Sequence, residues 1–196
     1  MATGKVHVFG IYGYGFHLPA DICGLELVPL CDPAEADMRG RHPSLFKLTG
    51  FGRIVRSSSD EWQDVARLHV LEAAMSFAEQ RQVIITRPIV MSDGDSEADL
   101  FSEKRMGAPI QAEPERHSHG AAIASELWAK TSRSAFLRLV LQRFEHETPN
   151  DVLRLAFFRQ VEIWRLRTPF VELQHFLAFS ALEMLARASG NTVQLV

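Results

Sequence analysis

The feature that most constrains this chain is the stretch from Ser92-Asp93-Gly94-Asp95 to His117-Ser118-His119. It carries 3 basic and 7 acidic residues, is rich in Gly, Pro and Ser, and shows no sustained apolar period. The whole chain of 196 residues has a net charge of −3, so this one segment holds more than the entire surplus and its flanks are nearly balanced. A segment with so little to bury cannot repay the entropy of packing into a core, so the hydrophobic pattern has to be satisfied on either side of it. The expected organisation is a β-rich module over residues 1–91 with a helix at 59–81, an acidic polar loop or linker over 92–119, and a helical module over 120–196. The length suits one ordinary domain or two small ones.

Before the acidic stretch the pattern is mixed. From Lys5 to Phe16 the residues Val6, Val8, Tyr12, Tyr14 and Phe16 alternate as in a strand, and Leu25–Leu30 and Leu48–Val55 are further strand candidates. The glycines of Gly10-Ile11-Tyr12-Gly13-Tyr14-Gly15 lack the order and the lysine of a phosphate loop, so they read as strand glycines at a bulge or a close backbone approach. Ser58 and Glu61 have the spacing of a capping box. Behind them Trp62, Val65, Leu68, Leu71, Met75 and Ala78 form a stripe fit to lie on a sheet. Residues 82–91 return to strand character, with Pro88 indicating a sheet edge.

After it the chain is helical: a broken pattern over 121–146, a helix capped by Asn150 to about Leu166, and a helix from Thr168-Pro169 to Gly190. Strands followed by helices give an α+β class: a small mixed or antiparallel sheet with one covering helix, then a C-terminal helical unit. One core is expected from Trp62, Leu68, Leu71, Phe77 and Ile85. A second is expected from Leu127, Phe136, Val140, Leu155, Phe158, Phe176, Phe179 and Leu182.

Composition narrows function. Nowhere do eighteen apolar residues run together, the N-terminus has no signal-like apolar run, and the two cysteines, Cys23 and Cys31, cannot staple a chain this size. A cytoplasmic location, small buried roles for both cysteines, no cofactor and no membrane partner are therefore expected. His117 and His119 alternate in the acidic loop beside Asp93, Asp95, Asp99, Glu113 and Glu115, and two imidazoles with a carboxylate can hold a divalent metal. Arg154 and Arg165, eleven residues apart, share a helix face near Trp164, a binding pattern that also suits a solvated bundle helix. The small negative net charge disfavours nucleic acid as the partner.

Phe170-Val171-Glu172 and Phe176-Leu177-Ala178-Phe179-Ser180-Ala181-Leu182-Glu183, behind the aromatic helix Phe157 to Trp164, resemble the helical bundles of the HEPN family of prokaryotic defence and toxin modules. The likeness spans under a quarter of the chain. HEPN ribonucleases carry an arginine followed, after four to six residues, by a histidine. None of the eight histidines here has an arginine five to seven positions before it. The resemblance therefore implies a non-catalytic relative, or a pair lying beyond Val196, and no catalytic residue is carried over. The expectation is an interaction or sensor module of a prokaryotic defence or regulatory system, whose helical part meets a protein partner or a second copy. The alternative is a metal-dependent hydrolase or nuclease built on His117 and His119.

Overall fold

The computed structural model describes residues 5–14, 16, 18–29, 48–56, 61–80, 82–91, 132–144, 151–165 and 171–189. They form an α+β fold. Its strands are β1 (Lys5–Tyr12), β2 (Ala20–Ile22), β3 (Leu25–Pro29), β4 (Leu48–Arg56), β5 (Ile84–Ile85) and β6 (Ile89–Val90). Its helices are α1 (Glu61–Glu79), α2 (Arg133–Phe144), α3 (Val152–Arg165) and α4 (Val171–Ala188). None of the described helices is long and apolar enough to cross a membrane.

The sheet runs β2-β3-β4-β1-β5, with β6 also on the β1 edge, and its pairings are antiparallel. Pairing of Phe9 with Gly52 and Gly52 with Leu27 puts Phe9, Ile11, Leu27, Leu25 and Ile22 on one face, all of them fully buried. The other face carries a smaller apolar cluster around Val8 and Phe51. Its exposed part holds the cross-strand ion pair Arg53–Glu26 at 3.4 Å. Thr86 separates β5 from β6, exchanging hydrogen bonds with Gly10: its N–H donates to the Gly10 carbonyl (3.0 Å), and its hydroxyl accepts from the Gly10 N–H (2.8 Å). The segment 84–90 is thus one interrupted edge strand, with Pro88 where a missing N–H costs no ladder bond.

One turn and one strand glycine explain the sheet's tight spots. Cys23 (φ 54°) and Gly24 (φ 80°) join Ile22 to Leu25, and two left-handed residues make the twist-matched turn of a tight hairpin. Cys23 is half-buried at this turn rather than a plain core residue, and Cys31 lies outside the described residues. On β4, Gly52 leaves room for the Phe9 ring, which occupies the place a Cβ would take.

Helix α1 is buried over a wide arc. Leu68, Leu71, Met75 and Ala78 form one line and Val70, Ala73 and Ala74 another, so the helix is sandwiched between the sheet and α2 and α3. Val65, expected on the buried stripe, is exposed because it lies at the free N-terminal end of that arc; the Trp62 side chain is outside the described set. The C-terminal half of α1 is bonded to the incoming edge strand. Ser76 Oγ accepts the Val83 N–H (3.1 Å), and the Glu72 carboxylate accepts the Ile85 N–H (2.8 Å).

The expectation of two separate cores is overturned. Sheet residues, α1, Leu137, Val140, Leu141 and Phe144 of α2, and the flanking Phe136, Phe157 and Phe158 form one apolar cluster. The reason is that α1 offers two faces, one to the sheet and one to the later helices. Polar contacts follow the same joint. The Arg67 guanidinium donates to the Cys23 carbonyl, and Arg138 donates twice to the Asp21 carbonyl (2.8 and 3.1 Å), so one arginine from each of α1 and α2 holds the β2–β3 hairpin. At the far end Arg133 pairs with Glu79 at 2.5 Å beside the buried Tyr14. Burial, reinforced by the Glu79 charge and partly offset by Arg133, holds the Tyr14 hydroxyl far above its ordinary value.

Gly52→Ala should cost about 1–3 kcal/mol, the range for an overpacked site, and Phe9→Leu in the same chain should recover part of it. Gly24→Ala, where a methyl meets open space, should cost only its left-handed backbone, about 1 kcal/mol. Urea denaturation of the three variants checks both numbers.

Candidate interaction face

The last two helices are positioned from their junction with the core outward. Asp151 caps α3: its Oδ1 accepts from the N–H groups of Leu153 (3.0 Å) and Arg154 (3.3 Å), and its Oδ2 pairs with Arg143 of α2 at 2.7 Å. Asn150, expected as the cap, lies outside the described residues, and Asp151 caps the helix while reaching both amides and the preceding helix. Burial alone would raise the Asp151 carboxyl. The Arg154 N–H, the Arg143 charge and the Leu153 N–H outweigh it and hold the group below the usual carboxylate range.

Along α3 an aromatic seam continues the core. Phe157 stacks on Phe77 of α1 (ring centroids 5.1 Å) and meets Phe144 of α2 (5.4 Å). Phe158 stacks on His69 (5.2 Å). The Arg154 guanidinium lies 5.5 Å from the centre of the same Phe158 ring. Arg154, expected as a binding residue, thus lies over a ring of its own helix. The Trp164 and Arg165 side chains, like His117 and His119, lie outside the described residues. Among the described residues no three His, Cys, Asp or Glu side chains gather as a metal site would require.

Helix α4 packs on α3, and Arg159 of α3 donates to the Ser180 hydroxyl at that seam. Ala181 is buried there, with Leu177, Ala178 and Met184 half-buried on the same side. The opposite side is also apolar. Phe176 (66% exposed), Phe179 (57%) and Leu182 (62%) run down it, with Leu173 and Leu185 exposed at its margins. These three were expected in the second core, as was Leu155 of α3, which is exposed as well. The physical reason is that α4 carries apolar residues around more of its circumference than one neighbouring helix can cover. Three large apolar side chains in line are the surface feature that a folded chain seldom carries without a use.

A cleft of about 460 Å³ is lined by Pro19, Ala20, Asp21, Gly24, Glu26 and Arg53. Its charges are already spent on each other: Glu26 pairs with Arg53, and the Asp21 carboxylate accepts the Gly24 N–H at 3.0 Å. The outward face of α4 is thus the candidate site. No signal of period or spacing separates it from a core stripe, since both faces of α4 repeat at helical intervals. Comparison with known proteins adds nothing to this geometry: no protein family, curated protein or solved structure matches the chain.

The Asp151 cap makes a pH-dependent prediction. Its folded carboxyl is depressed, so its contribution is complete above the ordinary value of 3.8 and fades as pH falls through the lower folded value. Asp151→Asn keeps a capping oxygen and should flatten that acid limb. Asp151→Ala should in addition lose about 1 kcal/mol at neutral pH. Thermal melts between pH 7 and the acid limb separate the two effects.

Proposed function

We propose that the chain is a non-catalytic interaction module in which the sheet, α1 and α2 form a rigid base and the α3–α4 pair presents a docking face for a protein. The observation that carries this reading is the line Phe176, Phe179 and Leu182, exposed on α4 while the opposite side of the same helix packs on α3. Aromatic side chains are enriched in protein contacts, where a few buried anchors supply most of the energy. The flanking Glu172, His175 and Arg187 are exposed and make the polar rim such a contact needs. The resemblance of the segment around Phe157–Trp164 and Phe176–Glu183 to HEPN bundles supports a role in a prokaryotic defence or regulatory system.

A photo-crosslinking side chain placed at Phe179 tests the reading in cells that express the chain. A discrete protein adduct is expected from Phe179, absent from a control at Gln142 on the solvent side of α2, and lost on Phe176→Ser. Equal labelling at both positions would refute it. Phe176→Ser should itself change stability by no more than about 0.5 kcal/mol, the usual range for a surface substitution. A loss several times larger would mean that the ring is packed and not free to dock.

A further inference from the structure

We infer that the protein seated on the α4 face is a second copy of this chain, docked antiparallel about a two-fold axis at Phe179; this rests on the docking reading above and names its partner. The argument is the order of chemistry along the face. Advancing 100° per residue, Phe179 lies at the centre of the exposed side, with Phe176 and Leu182 about 60° to either side of it. Glu172 opens the helix and Arg187 closes it, both exposed, and they lie within about 60° of each other around the axis. Glu172 has no ion-pair partner among the described residues, and the Arg187 side chain, bonded to Glu183 at 2.5 Å, is 75% exposed.

A face with Glu172 at one end and Arg187 at the other, and with His175 and Glu183 set four residues to either side of Phe179, is complementary to its own reverse. Turned about Phe179, the ring meets its own copy and Phe176 of one chain lies level with Leu182 of the other, while Leu173 and Leu185, about 120° around the axis from Phe179, stay outside the contact. Glu172 of one copy then falls opposite Ala186 of the other, whose small side chain leaves room for the neighbouring Arg187 to reach it. Arg187 can bridge Glu183 of its own chain and Glu172 of the other. A parallel pairing would instead set Glu172 against Glu172 and Arg187 against Arg187, so charge selects the antiparallel arrangement. Phe176, Phe179 and Leu182 expose on the order of 350 Å² per copy, within the range of patches monomers carry and short of a standard interface of about 800 Å² per partner. With the polar flanks filling the remainder, the dimer should be reversible, with a dissociation constant on the order of 10 μM.

Sedimentation of the full chain from low to high micromolar concentration should show a monomer–dimer equilibrium. Phe179→Glu, and independently Leu182→Lys, should weaken it at least 100-fold while circular dichroism and melting temperature stay unchanged. Glu172→Arg should weaken it about tenfold, since the two-fold axis repeats the loss, and Glu172→Arg with Arg187→Glu should restore it. Spin labels at Ala188 should stand about 30 Å apart in the dimer, against about 10 Å for a parallel pair. A chain that stays monomeric throughout, a dimer indifferent to Phe179→Glu, a charge swap that restores nothing, or the short label distance would each overturn the proposal. A monomer whose Phe179 crosslinks to a different protein would overturn the second copy and leave the docking face standing. A dimer built elsewhere, with no adduct at Phe179, would end both.

Discussion

The structure depends on the aromatic seam at which three helices meet. Phe77 of α1 stacks on Phe136 of α2 at 5.7 Å and on Phe157 of α3 at 5.1 Å. Phe144, Phe157 and Phe158 touch one another within 6.5 Å, and His69 closes the row. Each such pair adds about 0.5–1.5 kcal/mol beyond the area it buries, and the pairs share rings, so they order one another. Without the seam α1 could still cover the sheet, but α3 would keep only its Asp151–Arg143 tie to α2, and α4 rests on α3. The polar contacts of Arg67 and Arg138 with the β2–β3 hairpin, and of Arg133 with Glu79, brace the two ends of the same joint.

This dependence explains why α4 ends with an uncovered face. The sheet packs on α1, α1 on α2 and α3, and α3 on α4, with α2 also reaching the β2–β3 hairpin. Helix α4 packs on α3 and carries two apolar sides. Leaving Phe176, Phe179 and Leu182 in water forgoes burial worth about 1.5–3 kcal/mol for each side chain, which a docked protein would recover. The exposed apolar line thus lies on the helix that reaches the core through α3.

The elements were largely legible from local pattern. Period two marked β1, β3 and β4; the Leu68-Leu71-Met75-Ala78 stripe marked α1; Pro88 marked an edge. What pattern could not supply was partnership. The second buried side of α1 is made of Val70, Ala73 and Ala74, and small residues leave little trace in a hydrophobic period. The polar region before α2 suggested two cores, because sequence distance says nothing about whether α2 returns to α1. The tight turn at Cys23-Gly24 and strand β2 were missed because cysteine seldom takes a left-handed turn position. For the candidate site, periodicity placed Phe176, Phe179 and Leu182 on a helix and then favoured the wrong side of the boundary between core and surface. Only the three-dimensional count of neighbours decides that.

The central claim is that one core unites the sheet with the C-terminal helices. Native-state hydrogen exchange tests it most directly. The amides of Val8–Ile11 in β1 and of Ala156–Val161 in α3 should exchange with the same free energy, fall together on Phe157→Ala, and show one cooperative unit. Exchange of α3 at a much lower free energy, with β1 unmoved by Phe157→Ala, would contradict it and restore two independent cores.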